Sequence, residues 1–320
     1  MKKELGIFIL LVVLCVVTSL ENHRFLSAAN LINTANVVGL FGIFSIGAGI
    51  VIITGGIDLS VGSMIALSGM LLVMALTQWH WPWPLAVLFV LAVPVVLGWV
   101  NGALITRFRL QPFIVTLCAL LVYRGTARYI AHDTTLGFGD CAGFETLRNL
   151  ANGNLFGLPM TFVLLIIVAI IMWFVLHRSV YGRYLFAVGC NEEAARFSGI
   201  NTRRVITSSY MIAGLLTGIS GILFAFYTNL VSPSTQGQFY ELYGIAAAVL
   251  GGCSLRGGEG SIIGILIGAA LLQVLQNLVN LLGIDSSLNF AVMGAVVLVG
   301  VLADQIFKNR SGKKTAGHKK

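Results

Sequence analysis

The sequence predicts an all-α membrane protein of about ten transmembrane helices, some of them discontinuous. Hydrophobic residues make up 57% of the 320 positions, charged residues make up 10%, and the mean hydropathy is +0.92. A water-soluble domain could not remove that much apolar surface from water. The apolar residues also form runs close to the length of about 20 residues that a helix needs to cross a bilayer.

The apolar runs define the predicted helices in order along the chain. Glycine-rich segments, charged residues or turn residues separate one run from the next. The first run is interpreted as a span and not as a cleavable signal peptide, because Thr18-Ser19-Leu20-Glu21 is a poor match to a cleavage site. We predict ten spans, at 4–20, 36–54, 61–77, 84–106, 110–130, 160–176, 205–228, 240–255, 261–282 and 286–307.

Lysine and arginine are distributed unequally between the two sides that these spans define. All but Arg24, Arg124, Arg128 and Arg148 lie on the side of the N-terminus, which also carries the basic tail 308–320. Cytoplasmic loops hold the excess of positive charge, so both termini are predicted to be cytoplasmic. The net charge of +8 then reflects topology and attraction to an anionic lipid bilayer, with no need for nucleic acid as a partner. Residues 1–320 are predicted to form a single transmembrane domain.

A glycine-rich break, Gly55-Gly56-Ile57-Asp58-Leu59-Ser60-Val61-Gly62-Ser63, separates the second and third spans. An acid at such a place is costly unless it lies in a protein interior or a cavity, which indicates a transporter. We expect Asp58 to accept hydrogen bonds from the amides of Ser60 and Val61 and so to cap the third helix. Contact of Asp58 or Ser60 with a transported solute is the alternative. The residues assigned to this break are Gly55, Gly56, Asp58, Ser60 and Gly62.

A second break lies at 251–261, between the eighth and ninth spans. It resembles a phosphate loop in its glycine content but lacks the Lys-Ser/Thr pair that holds phosphate and magnesium. Close approach of helices is the favoured interpretation. The two breaks align at an offset of 196 residues, Gly55 with Gly251, which suggests an approximate duplication. The residues assigned to the second break are Gly251, Gly252, Gly257, Gly258 and Gly260.

Polar side chains inside the spans are candidates for a substrate path. The ninth span carries Gln273, Gln276, Asn277 and Asn280 on one helical face, and Asn101 lies in the fourth span. Amides also bind neighbouring helices to one another, so both interpretations stay open. The candidate path residues are Asn101, Gln273 and Asn277.

The longest inner segment, 178–204, is predicted to contain a short amphipathic helix flanked by turns. Asn191 is a suitable N-cap, Glu192 and Glu193 match the positive end of the helix dipole, and Gly199 can end the helix. Such a helix beneath a membrane domain is either a lever for a cytoplasmic partner or an ordinary interfacial helix.

Catalytic and metal-binding motifs are absent from the sequence. There is no Walker A motif, His-Glu-x-x-His, Gly-x-Ser-x-Gly or Cys-x-x-Cys, and the cysteines are scattered. Energy for pumping would therefore come from an ion gradient or from a separate ATPase. Ion coupling usually needs charged residues inside spans, which are scarce here. An integral-membrane enzyme remains an alternative only around four residues of one outer loop, His132, Asp133, Asp140 and Glu145.

Three blocks of sequence resemble known transport proteins. Glu193-Ala194-Ala195-x-x-x-Gly199 resembles the Glu-Ala-Ala loop of ATP-binding-cassette (ABC) importer permeases, although the Ile-x-Leu-Pro that follows it in that family is not found. The surrounding residues 182–200, together with 55–63 and 248–260, are similar to the ribose-type monosaccharide permeases.

This resemblance implies a permease subunit in the bacterial inner membrane that carries a monosaccharide. It implies three partners: an ABC ATPase subunit that holds ATP and Mg, a periplasmic sugar-binding protein, and a second permease copy or a paralogue. The chain itself would bind no cofactor and no metal. An ion-coupled secondary transporter or facilitator for a small polar solute is the alternative function. Segment 178–204 becomes the coupling loop, with Gly182, Arg183, Asn191, Glu193, Ala194, Ala195, Ser198 and Gly199 as the residues that engage the ATPase.

Overall fold

The computed structural model describes residues 2–139 and 142–284, with a few single positions between 288 and 298. Helices account for most of these residues, which agrees with the predicted all-α membrane class. The basic tail 308–320 lies outside the described residues. So does the tenth predicted span, apart from the single positions.

The first half of the chain forms five long helices that begin and end at recognisable signals. Ser27 caps the second of them, because its hydroxyl oxygen accepts a hydrogen bond from the Asn30 amide. Pro112 occupies the first position of the fifth, where its missing N–H costs nothing. These helices are α1 (Lys2–Glu21), α2 (Ala28–Ile53), α3 (Val61–Thr77), α4 (Trp83–Phe108) and α5 (Pro112–Ile130), with a 3₁₀ turn at His23–Leu26.

The second half contains helices of more varied length and four short strands. Ser261 caps the last described helix through the Gly264 amide, and Asn201 caps a long helix through the Arg204 amide. The helices are α6 (Glu145–Asn152), α7 (Met160–His177), α8 (Val180–Cys190), α9 (Glu192–Phe197), α10 (Thr202–Thr228), α11 (Tyr240–Leu250) and α12 (Ile262–Leu281); the strands are β1 (Leu136–Gly137), β2 (Asn154–Leu155), β3 (Leu158–Pro159) and β4 (Leu230–Val231).

Seven of the helices in the described part of the chain, α1, α2, α4, α5, α7, α10 and α12, are long and apolar enough to cross a membrane. The predicted spans 61–77 and 240–255 correspond instead to the shorter apolar helices α3 and α11. At about 1.5 Å per residue the 11 residues of α11 extend about 16 Å, which is too short for the hydrocarbon layer of about 30 Å. Both short helices adjoin a break, so the segments at the breaks are discontinuous as predicted.

The centre of the molecule is α2, whose residues from Val38 to Ile53 are all buried. It packs against α7, α10, α11 and α12. Aromatic rings fill one side of it: Phe41 lies 5.4 Å from Phe224 and 4.8 Å from Tyr240, measured between ring centroids. In contrast, α1 is exposed along most of its length and packs mainly on α12.

Small antiparallel strand pairs close the loops at one end of the bundle. β1 pairs with β4, so that Leu136 faces Val231, and β2 pairs with β3 in a hairpin. The outer loop between α5 and α7, where no helix was predicted, contains helix α6 and three of these strands.

Glycine allows α4 and α10 to approach each other closely. A Cβ added to Gly98 of α4 would overlap the carbonyl oxygen of Tyr210 in α10, and one added to Gly214 of α10 would overlap the Pro94 carbonyl. Small residues at helix contacts are typical of membrane bundles, where packing and not the hydrophobic effect holds helices together.

Replacing Gly98 by alanine should therefore lower the melting temperature of the purified protein. Overpacking of this kind costs about 1–3 kcal/mol. The matched control is Gly125→Ala in α5, where an added Cβ meets nothing within 4 Å. Thermal unfolding in detergent should show destabilisation for Gly98→Ala only. Equal melting temperatures for the two variants would contradict the close α4–α10 contact.

Candidate functional site

The first break joins α2 to α3 through residues 54–60, which are not helical. Gly55 has a φ of +82°, a left-handed conformation that glycine adopts without steric cost. Asp58 is buried, and its Oδ1 accepts hydrogen bonds from the Ser60 amide at 2.9 Å and the Ser60 hydroxyl at 2.6 Å. In the described residues no bond joins Val61 to this carboxylate. The sequence predicted that Asp58 caps α3 through the amides of Ser60 and Val61. Of these two amides only that of Ser60 bonds to it, so Asp58 closes a turn at Ser60 instead.

A chain of hydrogen bonds continues from this turn into α4 and α5. The Asn101 Nδ2 donates to the Ser60 hydroxyl oxygen at 3.2 Å, and the Tyr123 hydroxyl donates to Asn101 Oδ1 at 2.9 Å. The Ile57 carbonyl accepts from the Tyr210 hydroxyl at 3.2 Å. Asn101 is 1% exposed, so its amide is occupied within the protein. The polar groups of the break are therefore satisfied internally, as the membrane interior requires.

The second break folds back onto the first. The Gly258 amide donates to the carbonyl of Ile53, the last residue of α2, at 2.8 Å. A Cβ on Gly257 would lie 2.9 Å from the Gly55 nitrogen and 2.7 Å from the Gly189 oxygen. Gly257 and Gly258 both have positive φ, +85° and +73°. Close backbone approach, the favoured interpretation of this sequence, is thus a contact between the two breaks and the end of α8.

The remaining glycines of the breaks face other neighbours. A Cβ on Gly251 would overlap the Gly264 carbonyl of α12, and one on Gly260 would lie 2.7 Å from the Cys253 sulfur. Gly62, in the first turn of α3, packs against Gly237 and the Glu241 carboxylate at the start of α11. Gly56 lies against the Tyr210 hydroxyl, and Gly252 has open space around it.

The coupling loop contains two helices, where the sequence predicted one. The first, α8, was not predicted; it begins at Ser179, whose hydroxyl oxygen accepts from the Gly182 amide at 3.1 Å. The second, α9, matches the predicted helix: Asn191 Oδ1 accepts from the Ala194 amide at 2.9 Å, and Gly199 follows with a φ of +84°. Asparagine at the N-cap and glycine after the last turn are the expected boundary signals.

The α8 helix binds the coupling loop to the membrane helices, whereas α9 projects from them. Leu185 and Val188 of α8 are buried, and the Tyr181 hydroxyl lies 2.8 Å from the Ser208 hydroxyl of α10. Burial raises the pKa of Tyr181 and the bond to Ser208 opposes that shift, so the hydroxyl stays neutral at physiological pH. In α9, only Ala195 is buried. Its other residues are exposed, as are Arg183, Asn191, Ser198 and Gly199, all of which the sequence assigned to ATPase coupling.

A cleft of about 790 Å³ connects the coupling loop with the first break. Thr54, Gly55 and Gly56 line one wall, and Glu192 and Glu193 line another. Arginines from the α4–α5 turn and from the coupling loop complete the surface: Arg109, Arg196 and Arg203. Residues that the sequence assigned to two separate groups, the break and the coupling loop, therefore share one charged cavity.

The amides of α12 lie away from this region. Asn277 Nδ2 donates to Asn30 Oδ1 at 2.9 Å and to the Thr34 hydroxyl oxygen at 2.6 Å, which binds α12 to α2. Gln273, one turn earlier, is buried. Because α12 packs mainly on α1, α2 and α11 whereas α4 packs on α3, α5 and α10, the structure does not bring Gln273 and Asn277 together with Asn101.

The outer-loop residues make local contacts. Arg128 forms a bidentate ion pair with Asp133, at 2.9 and 2.6 Å, and this hydrogen bonding holds the pKa of Asp133 below its ordinary value. Glu145 accepts from the Gly143 amide, and His132 is exposed. Asp140 lies outside the described residues, and no group of metal-binding side chains is found within them.

Three residues with features of functional sites were not singled out from the sequence. Phe197, at the end of α9, is 84% exposed. Arg124 of α5 donates from Nη1 to the carbonyls of Pro233 and Gln236, at 3.1 and 2.6 Å, and Glu241 carries the opposite charge beside it. An arginine and a glutamate inside apolar runs are the signal that could have identified this pair.

Comparison with known proteins identifies the family of the chain. The family described as a branched-chain amino acid transport system permease component matches residues 30–301. The chain belongs to this permease family. It is 38% identical over 304 residues to the ribose import permease protein RbsC of Bacillus subtilis, covering 95% of this chain and 93% of the relative. It is 36% identical to the Escherichia coli K12 ribose import permease protein RbsC, covering 92% of each. No solved structure matches the chain.

The fructose import permease protein FruF of Bifidobacterium longum is similar too, with 34% identity over 91% of this chain and 84% of the relative. The permease is therefore a multi-pass protein of the bacterial inner membrane. In this permease the coupling loop and both breaks form one packed unit, joined by the Gly258–Ile53 bond and the Gly189 contact.

Proposed function

We propose that this permease is the transmembrane subunit of an ABC importer that moves a monosaccharide, a ribose-like pentose or a related sugar, across the inner membrane. The relatives named for ribose and fructose import support the sugar class. A separate ATPase subunit would bind ATP and Mg and supply the energy. This chain would supply the route and no ATPase site of its own.

The observation that carries the proposal is the contact between the coupling loop and both breaks. Gly189 packs against the Ile53 carbonyl, and the same carbonyl accepts the Gly258 amide. A displacement of α8 must therefore move the end of α2, the second break, or both, because packed interiors transmit strain. Through this contact, a movement of the ATPase subunit in the cytoplasm could be transmitted to the helices at the two breaks.

The surface for the ATPase is α9 with the adjoining cleft. Glu193, Ala194 and Phe197 are exposed on α9, and a large exposed aromatic side chain is a typical anchor for a pocket on a partner. The predicted contacts at Arg183, Asn191, Ser198 and Gly199 lie on the same loop. Both termini would be cytoplasmic, on the side of this surface.

The opposite side would receive a periplasmic sugar-binding protein. The structured loop between α5 and α7 presents the β2–β3 hairpin, whose tip residue Phe156 is 98% exposed. A second permease copy or a paralogue would complete the importer. Selection of the sugar would rest mainly with the binding protein, because tight binding within the permease would slow release of the sugar.

The decisive experiment is reconstitution in proteoliposomes with the ATPase and the sugar-binding protein of the same importer. The permease should co-purify with the ATPase, and sugar-loaded binding protein should stimulate ATP hydrolysis and ribose uptake. Ribose uptake by vesicles that contain this chain alone, without nucleotide, would overturn the proposal in favour of a secondary transporter or facilitator.

The docking surface has its own variant within the same experiment. Phe197→Ala should reduce co-purification with the ATPase and leave the melting temperature of the permease unchanged, because the side chain is exposed and supports no core packing. Truncating such an anchor typically costs about 2 kcal/mol or more of binding free energy. Phe8→Ala, on the exposed apolar face of α1, is the control and should leave ATPase binding unaltered.

A further inference from the structure

The segment 232–239, between β4 and α11, is irregular and runs along α3. Val231, just before it, lies 3.4 Å from a Cβ position on Gly69, in the middle of α3. Gly237, near its end, packs against Gly62 in the first turn of α3. The segment therefore follows α3 from its middle to its beginning, antiparallel to the helix.

This path takes non-helical backbone deep into the membrane domain. α3 ends at Thr77, beside Trp79, and tryptophan is typical of the membrane–water interface. At about 1.5 Å per residue, Gly62 lies about 22 Å from that end of the helix. The hydrocarbon layer is about 30 Å thick. Irregular backbone at such a depth is stable only where protein buries it or where it lines a water-filled cavity.

The exposed residues of the segment decide between these two cases. Ser234, Thr235 and Gln238 are exposed in a single copy of the chain, and the Phe239 ring at the end of the segment is 41% exposed. Their hydroxyl and amide groups are costly to place against lipid, where no hydrogen-bond partner exists. The lipid-facing surface of α5 is different in kind, since its exposed residues include Leu121 and Val122. The polar face of the segment therefore belongs in contact with water.

Arg124 of α5 fixes the backbone of the segment through hydrogen bonds. Its Nη1 donates to the carbonyls of Pro233 and Gln236, at 3.1 and 2.6 Å. The Glu241 carboxylate lies against Gly62 and attracts Arg124. A charged side chain that bonds to two backbone carbonyls fixes the shape of the segment. The Ser234 hydroxyl also lies 3.2 Å from that of Ser232, and the Thr235 and Gln238 side chains are exposed on the surface of the segment.

We propose that segment 232–239 lines the route of the sugar, with Ser234, Thr235 and Gln238 as the groups that meet its hydroxyls. This inference rests on the proposed function and names the site within it. Hydroxyl and amide side chains both donate and accept hydrogen bonds, as sugar hydroxyls do. The groups are few and exposed, which suits brief contact and rapid release. The amides of α12 then serve to join helices, as the Asn277 bonds indicate.

The test is the reactivity of single cysteines toward a charged, membrane-impermeant thiol reagent. The five native cysteines are replaced first, and Thr235→Cys and Gln238→Cys are made separately in the full chain, reconstituted with its ATPase and binding protein. Glu21→Cys, at the exposed end of α1, is the control for a water-facing site. Val122→Cys, exposed on the apolar face of α5, is the control for a lipid-facing site.

Thr235→Cys and Gln238→Cys should react at rates close to that of Glu21→Cys. They should react about 100-fold faster than Val122→Cys, because a charged reagent is strongly excluded from hydrocarbon. Ribose-loaded binding protein with ATP should slow the reaction at Thr235→Cys several-fold and leave Glu21→Cys unchanged. Prior labelling at Thr235→Cys should block ribose uptake.

Two results would overturn the inference. One is reaction as slow as that of Val122→Cys. The other is a disulfide between Thr235→Cys residues of two copies without reagent access, which would show an interface between subunits and no route. Failure of this inference can be distinguished from failure of the proposed function. ATP-dependent ribose uptake by the cysteine-free parent tests the importer function, whereas thiol accessibility tests the position of the segment and does not require transport.

Discussion

Replacing Gly189 by valine should reduce sugar uptake about tenfold or more while the permease still reaches the membrane. A Cβ at this position would overlap the Ile53 carbonyl and would lie 2.5 Å from the Gly258 nitrogen. The bond between these two groups must then open, and the coupling loop separates from both breaks. Overpacking costs about 1–3 kcal/mol, and a cost above about 1.4 kcal/mol lowers the equilibrium constant for the packed junction more than tenfold.

The measurement is ATP-driven ribose uptake in proteoliposomes, compared with ATP hydrolysis by the same complex. Uptake should fall about tenfold or more, and hydrolysis should lose its stimulation by sugar-loaded binding protein. Cys190→Ala is the matched control, since the exposed thiol makes only a long contact with the Gly258 carbonyl, at 3.9 Å, and its removal adds no atom to the junction. Full uptake by Gly189→Val would show that the junction does not transmit motion.

Replacing Asp58 by alanine should destabilise the permease strongly. The change removes the acceptor of two hydrogen bonds and leaves the Ser60 amide and hydroxyl without their partner in a buried site. Each unsatisfied buried group costs about 1–3 kcal/mol, so a loss of a few kcal/mol is expected. The chain of hydrogen bonds from Tyr123 through Asn101 to Ser60 loses its last acceptor, Asp58, as well. Thermal unfolding of the purified protein measures the loss.

Asp58→Asn separates structure from transport. Its side-chain oxygen can still accept both bonds from Ser60, so most of the stability should remain, although a charge-assisted bond becomes a neutral one. Normal stability with partial uptake is the expected result. If Asp58→Asn is as stable as the parent but moves no ribose, the carboxylate itself takes part in transport and its role in the break is secondary.

The membrane class and most helices could be predicted from the sequence because they depend on local composition. Runs of apolar residues correspond to α1, α2, α4, α5, α7, α10 and α12. The boundaries of α9 were predictable as well, since Asn191 and Gly199 are capping signals that act within one turn. The roles assigned to the coupling-loop residues are still predictions.

The structure does not confirm two of the predicted spans as full membrane crossings. The apolar runs at 61–77 and 240–255 have the composition of spans, but α3 and α11 are shorter than the other apolar helices. Hydropathy does not register that a chain can enter the membrane as irregular backbone, because the cost of that backbone depends on partners far away in sequence. Arg124, which bonds to the carbonyls of Pro233 and Gln236, is such a partner.

The sequence by itself therefore determined that this is a membrane permease built from apolar helices with two glycine-rich breaks and a capped inner helix. Only the tertiary structure decided that the breaks meet each other and the coupling loop, and that the amide of Asn277 binds two helices together. It also decided that a polar segment descends beside α3. The physical reason is that capping and hydropathy act within a few residues, whereas backbone contacts such as Ile53 with Gly258 join positions about 200 residues apart, which no local pattern encodes.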